Sequence, residues 1–93
     1  MSGEAEISRV NVEIFGQNYT IKGDKTPEYI VKIAHEVDDL MKKIHKTNPH
    51  LPPGKIAVLA ALNIADELAK IKDDYQWLLE IINEEKNKQE QTN

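Results

Sequence analysis

The sequence predicts an α+β fold that is mostly α, with an N-terminal β-hairpin, an amphipathic helix and a long C-terminal helix that forms an intermolecular coiled coil. A short stretch of strict apolar and polar alternation near the N-terminus predicts the hairpin. Apolar residues at three- and four-residue steps over most of the remaining chain predict the helices. A chain of 93 residues buries little apolar surface by itself, so we expect it to form oligomers.

The hairpin is predicted between residues 9 and 22. An alternating run from Arg9 to Phe15 is followed by turn residues and a second alternating run from Tyr19 to Lys22. Loops at Gly16-Gln17 and at Gln17-Asn18 are both compatible with this pattern, so the register stays open. Either loop places the same apolar residues on one face of the hairpin, namely Val12, Ile14, Tyr19 and Ile21.

The first helix is predicted to begin at Thr26-Pro27-Glu28, which supplies a side-chain cap, a proline at the first position and an acid in the first turn. Asn48-Pro49 breaks the pattern and ends the helix. The acidic pair Asp38-Asp39 is interpreted as solubilising charge, because helical neighbours do not face one another. The predicted buried face comprises Ile30, Ile33, Ala34, Val37, Leu40, Met41 and Ile44.

The second helix is predicted from Lys55 to about Lys88, since this stretch has no proline or glycine. From Ile56 to Ala65 nearly every residue is apolar, which predicts burial on one face by the first helix and hairpin and on another by a second chain. Beyond it a heptad seam continues, and Trp77, Leu79 and Ile81 widen the apolar stripe, so that more than two helices could meet. The predicted oligomer interface comprises Ala57, Ala61, Ile64, Leu68, Ile71, Tyr75, Leu78 and Ile82.

Four segments are therefore predicted along the chain. Residues 1–8 form a flexible N-terminus, and residues 9–67 form a globular head that holds the hairpin and a dimer interface. Residues 68–85 form the coiled-coil helix. Residues 86–93 form a frayed tail, because they contain no apolar residue to bury.

The composition excludes several classes of function. The net charge is -4 and the sequence contains no basic cluster, whereas a nucleic-acid-binding protein normally has a basic stripe. Without cysteine and with few candidate ligands, neither a metal nor another cofactor is expected. The sequence has no signal peptide and no membrane-spanning stretch, which predicts a soluble, cytoplasmic protein without a membrane partner.

No catalytic constellation is predicted. His35-Glu36 is similar to the start of a zinc-protease motif, but Asp39 occupies the place of the second histidine. The sequence lacks a glycine-rich phosphate loop and a nucleophile elbow, and Arg9 is the sole arginine. His45 and His50 are interpreted as loop histidines without a special role. We therefore expect that the protein is not an enzyme.

Two further residues stand out. Phe15 lies on the opposite hairpin face from the apolar set, where it is either an exposed anchor for a partner or packs against a second chain. Asn63 interrupts an apolar run, and we expect it to hydrogen-bond a neighbouring loop or to fix helix register across a dimer, in preference to contacting a ligand.

Two stretches, Val10-Asn11-Val12-Glu13-Ile14-Phe15-Gly16 and Ala60-Ala61-Leu62-Asn63-Ile64-Ala65-Asp66-Glu67-Leu68, together resemble the ZapA family of bacterial cell-division proteins, which associate with FtsZ. The similarity covers roughly residues 8–80. It implies a head dimer with C-terminal helices that form a coiled coil. In longer members two dimers join through these coils into a tetramer, whereas the apolar stripe of this chain ends near Ile82.

The resemblance also implies a function. ZapA proteins bind FtsZ filaments at midcell and bundle or align them, which stabilises the division ring, and no nucleotide chemistry belongs to them. The family's filament-binding surface lies on the head and includes the hairpin turn. In this chain the resemblance assigns partner binding to Arg9, Phe15, Gln17 and Asn18. Gln17 stands where some members have a basic residue. The alternative is a generic dimeric coiled-coil adaptor for another helical partner.

Overall fold

The structure, a computed structural model, describes residues 7–91. Its elements are β1 (Ser8–Ile14), β2 (Gln17–Gly23), α1 (Pro27–Thr47) and α2 (Pro53–Gln91). This order confirms the predicted α+β, mostly α fold. Most of the predicted flexible N-terminus and the last two residues of the predicted tail lie outside the described residues. The predicted segment bounds stay predictions, although α2 reaches Gln91.

The hairpin pairs β1 and β2 in antiparallel fashion, with Val12 opposite Tyr19 and Ile14 opposite Gln17. The two-residue loop is therefore Phe15-Gly16, and both predicted loops are wrong. The predicted facing is correct, because residues directly opposite each other share a face. Phe15 and Gly16 have φ values of 50° and 78°, the pattern of a type I′ turn. The sequence did not indicate this loop because a phenylalanine seldom adopts positive φ.

Helix α1 has the predicted ends. The Thr26 hydroxyl caps its N-terminus by accepting the Tyr29 N–H at 3.2 Å, and Pro27 is the first helical residue. Asn48 caps the C-terminus, where its backbone N–H and its side-chain amide donate to the Ile44 carbonyl at 2.9 and 3.0 Å. The buried residues of α1 are Ile30, Ala34, Asp38, Met41 and Ile44.

The head core forms where the second half of α1 meets the start of α2. Its buried members are Met41, Ile44, Ile56 and Ala60, and Ile56 is fully buried. Side chains from the hairpin turn, α1, the connecting loop and α2 pack around this cluster, namely Ile14, Phe15, Val37, Leu40, Leu51 and Leu59. The aliphatic composition of the sequence thus becomes a small core of interlocking helix and hairpin residues.

The chain divides into two units, of which the first ends at Ala60 and the second begins at Ala61. In the second unit the described side chains from residue 61 to residue 80 are all exposed. Val58, at the end of the first unit, is also exposed. Burial on a second face by another chain therefore stays a prediction for residues 56–65. Among the described residues no helix is long and apolar enough to cross a membrane.

Candidate interaction surfaces

The predicted oligomer-interface residues form a row of exposed apolar side chains in the single chain. Ala57 and Ala61 are exposed. The exposed fraction of the larger members ranges from 46% at Ile64 to 63% at Tyr75. A row of large apolar side chains in contact with water is typical of a helix that packs against a partner. The members between these limits are Leu68, Ile71, Leu78 and Ile82.

Charged residues occupy other positions of the same helix. Asp66 and Lys70 lie four residues apart and form an exposed ion pair, with Lys70 Nζ 3.1 Å from Asp66 Oδ2. Such a pair contributes little to helix stability, on the order of a few tenths of a kcal/mol. Trp77 is 62% exposed and points about 100° away from Leu78 around the helix. Trp77 therefore lies outside the predicted heptad seam.

A buried carboxylate holds the hairpin turn. The Phe15 N–H donates to Asp38 Oδ1 at 2.7 Å, which links the turn to the middle of α1. The Phe15 ring is half-buried against the head core and meets the His45 ring edge-on, with the centroids 5.5 Å apart. The expectation of an exposed anchor is wrong, because its own chain partly covers the ring, whereas packing of Phe15 against a second chain stays a prediction. His45 lies in the last turn of α1 rather than in a loop.

Asp38 was expected to solubilise the helix, and this expectation is also wrong. Only 7% of the residue is exposed, and Asp38 Oδ2 lies 2.8 Å from Lys42 Nζ. The hydrogen bonds from Lys42 and from the Phe15 N–H hold the pKa of Asp38 below its usual value, and the same contact raises the pKa of Lys42. Helical spacing was the sequence pattern that could have indicated this burial. Asp38 follows Ala34 by four residues and precedes Met41 by three, so all three lie on one helix face.

The acid next to Asp38 behaves differently. Asp39 is exposed and its Oδ2 lies 3.3 Å from His35 Nε2. Ligand atoms of His35, Asp38 and Asp39 all lie within 4.8 Å of one another, a spacing that a cation could bridge. However, Asp38 already accepts from an ammonium group and from a backbone N–H. The cluster is therefore explained by ion pairing along the helix.

A groove of about 500 Å³ opens between the inner hairpin face, α1 and the start of α2. It brings together members of two predicted sets, since Ala57 of the oligomer interface and Phe15 and Gln17 of the partner-binding set all line it. Sequence reasoning did not assign Tyr19 to a surface site, although it lines the groove and is 50% exposed. The groove is thus a mainly apolar surface of the head, with polar side chains at Gln17 and Thr20.

The predicted partner-binding residues do not form one patch. Gln17 lies opposite Ile14 on the inner hairpin face, beside the groove. Arg9 and Asn18 are exposed on the outer face, where Asn18 pairs with Glu13. Arg9 is four residues from Glu13, which separates it from Asn18 by roughly 13 Å along the strand. Only Gln17 and Asn18 immediately follow the turn.

These features define a small α+β protein with a hairpin head and a long helix whose apolar residues are uncovered in the single chain. The family model described as "Cell division protein ZapA" matches residues 10–93. The chain belongs to the ZapA family of cell division proteins. The resemblance seen in the sequence is confirmed.

Individual relatives match over nearly the whole chain. A cell division protein ZapA from Geobacillus kaustophilus is 44% identical over 87 residues, which cover 94% of each chain. One from Geobacillus sp. (strain WCH70) is 42% identical over 84 residues, covering 90% of this chain and 97% of the relative. Among solved structures, a ZapA mutant dimer from Geobacillus stearothermophilus matches with a TM-score of 0.71 and 41% identity, covering 89% of this chain and 96% of that one.

Proposed function

We propose that this chain is a non-enzymatic cell-division factor that binds FtsZ filaments and crosslinks or bundles them, stabilising the division ring at midcell in the cytoplasm. Membership of the ZapA family supports the cell-division role. The observation that carries the crosslinking mechanism is the row of exposed apolar side chains along α2, from Ile64 to Ile82. This row makes self-association the central step of the function.

Self-association would bury the apolar side chains of α2 that are exposed to water in the single chain. Covering the exposed half of one leucine or isoleucine side chain contributes about 1 kcal/mol, and each chain offers six large side chains in the seam. The solved relative is described as a dimer, which supports a homodimer here as well. Trp77, which is exposed outside the seam, offers a further contact through which two dimers could associate.

Crosslinking follows from symmetry. In a homodimer every head is present twice, so two filaments can be held by one particle even when each contact is weak. The second binding event occurs at the high effective concentration set by the first. A monomer would occupy one filament site and could not bridge two filaments. The proposal therefore predicts that bundling and oligomer formation are lost together.

The filament contact is proposed to lie on the head, at Arg9, Phe15, Gln17 and Asn18. The side chains of Gln17 and Asn18 are exposed directly after the turn, and Arg9 is exposed on the outer hairpin face. Phe15 contributes through the position of the turn, since its ring packs on the head core. With a neutral amide at Gln17, the contact at this point depends on hydrogen bonds rather than on a formal charge.

A non-enzymatic role also fits the chemistry of the head. Asp38 is the one buried charged side chain among the described residues. It is held by Lys42 and by the Phe15 N–H, and therefore has a structural explanation. The alternative function, a dimeric adaptor for a different helical partner, draws its support from exposed Trp77, which could pack against a third helix.

Light scattering across a concentration series, followed by co-sedimentation with FtsZ polymers, tests the proposal. We expect a dimer or a larger oligomer that pellets with the polymers and raises their light scattering through bundling. A stable monomer would exclude the crosslinking mechanism. An oligomer that stays in the supernatant would favour the adaptor function.

A further inference from the structure

The hairpin turn adopts a conformation that its own sequence does not favour. Phe15 has a φ of 50°, a region that aromatic residues seldom occupy, and Gly16 follows with a φ of 78°. Turns with positive φ at both central residues are dominated by Asn-Gly, Asp-Gly and Gly-Gly pairs. A Phe-Gly pair therefore needs support from elsewhere in the fold.

One contact supports the backbone of the turn directly. The strand ladder ends at the Ile14 and Gln17 pair, so the N–H of Phe15 has no partner within the hairpin. Asp38 Oδ1 accepts this N–H at 2.7 Å, across a separation of 23 residues along the chain. The carboxylate is buried and is fixed in turn by Lys42 Nζ at 2.8 Å. A charged acceptor makes this a stronger hydrogen bond than a neutral one.

The Phe15 ring contributes in a different way. It packs on the head core and meets His45 edge-on, and these contacts fix where the side chain lies. They do not satisfy the backbone N–H, which the hydrogen bond to Asp38 alone does among the described residues. Backbone conformation and ring packing are therefore separable by mutation.

We propose that Asp38 is a positioning residue, which holds the hairpin turn in its positive-φ form through the Phe15 N–H and thereby fixes Gln17 and Asn18 for the filament contact. The second half of this statement rests on the proposed function. The first half concerns the free protein alone. Asp38 itself is buried and would not touch the filament.

NMR on the whole 93-residue chain measures the conformation of the turn. A residue with positive φ has its amide and α protons close together, which gives a strong intraresidue NOE at position 15. We expect Asp38→Ala to weaken this NOE and to accelerate exchange of the position-15 amide by about tenfold or more. Asp38→Asn keeps a neutral acceptor oxygen, so its NOE and amide exchange rate should lie between those of the wild-type protein and Asp38→Ala. This variant replaces Asp38→Ala in the experiment if the alanine variant does not fold.

A double-mutant cycle separates positioning from general stabilisation. Phe15→Asn creates an Asn-Gly pair that favours the same turn without help. We expect Asp38→Ala to weaken FtsZ co-sedimentation by about tenfold in the wild-type background, which has Phe15, but by less than about threefold in the Phe15→Asn background. A merely structural role of Asp38 would cost the same in both backgrounds. Lys43→Met is the control, since it removes the charge of an exposed lysine on the same helix that forms no ion pair with Asp38 among the described residues.

Each outcome decides the matter. An unchanged NOE in Asp38→Ala would overturn the inference. A changed turn with undiminished filament affinity would show that the turn is not positioned for that contact, and would overturn the second half. If the wild-type protein itself fails to co-sediment, the proposed function fails, while the NMR result on the free protein still decides whether Asp38 holds the turn.

Discussion

Helix α2 contains two neighbouring regions that differ in burial. The rest of the chain covers side chains of the first region, whereas side chains of the second region are exposed to water. Ile56 is fully buried and Ala60 is 2% exposed, whereas Leu62 is 61% exposed and Ile64 is 46% exposed. Both stretches are similarly apolar in sequence. The difference is that the first stretch has the hairpin and α1 to pack against, while the second has no cover in the single chain. The apolar composition of a segment therefore indicates how much surface must be buried, but not whether its own chain or a second chain buries it.

The two regions consequently depend on different conditions. The head has a core of its own, with capped ends on α1 and a paired hairpin. A solitary helix gains little from hydrogen bonding alone, and most helical stability in proteins comes from packing an apolar face. The helix from Ala61 onward is therefore expected to depend on assembly, whereas the head should fold with or without it.

The largest effect is expected from a charge in the seam. Leu78→Glu, or equally Ile71→Glu, would place two buried carboxylates in each dimer, at about 2–3 kcal/mol apiece. Together they cost about 4–6 kcal/mol, so the dissociation constant should rise by roughly 1000- to 10,000-fold. Analytical ultracentrifugation measures it, and bundling of FtsZ should fall in parallel. Gln76→Glu is the matched control, because it makes the same charge change outside the seam. A Leu78→Glu protein that bundles as a monomer would refute the mechanism.

A core truncation tests the other side of the comparison. Ile56→Ala removes three carbons from a fully buried site and should lower the free energy of unfolding by about 2–4 kcal/mol. Denaturant unfolding in the Leu78→Glu background, at a concentration where analytical ultracentrifugation finds a monomer, measures the head without a contribution from assembly. Val31→Ala, at a 48% exposed position of α1, should cost no more than about 0.5 kcal/mol. An equal loss of unfolding free energy in the two variants would mean that packing of Ile56 does not stabilise the core.

These two regions also show how far the sequence could be interpreted. The ends of α1 were predictable because Thr26 and Asn48 act on backbone groups three or four residues away. The row of apolar side chains along α2 was predictable because heptad spacing is a local pattern, whereas its role as a seam between chains stays a prediction. The turn was not predictable, since Phe15 owes its conformation to Asp38, and that contact exists only after the chain has folded. Asn63 is exposed in the single chain, so its expected role across a dimer stays a prediction.

A smaller effect is expected from backbone strain in the turn. Gly16 has a φ of 78°, and an added Cβ would meet no atom within 4 Å, so Gly16→Ala isolates the conformational cost. We expect a loss of about 1 kcal/mol in the free energy of unfolding. Gly54→Ala also enters open space, but lies in helix α2, and should be neutral or stabilising by up to about 1 kcal/mol. A destabilising Gly54→Ala would indicate that this residue has contacts beyond its own chain.

The smallest effect is expected from titration of Asp38, because Lys42, the main cause of its lowered pKa, is itself largely exposed to solvent and screened. Since the folded state lowers this pKa, the ion pair stabilises the head fully above the ordinary aspartate value of about 3.9. That contribution is lost as the pH falls through the lower folded pKa. The charges of His35, Asp39 and Glu13 also act on the pair, and these residues are the same in both variants. The difference in unfolding free energy between the Asp38 and Asp38→Asn proteins, both in the Leu78→Glu background, should therefore shrink as the pH falls from about 5 through the lower folded pKa of Asp38. A constant difference across this range would show that the hydrogen-bond geometry of Asp38, rather than its charge, stabilises the turn.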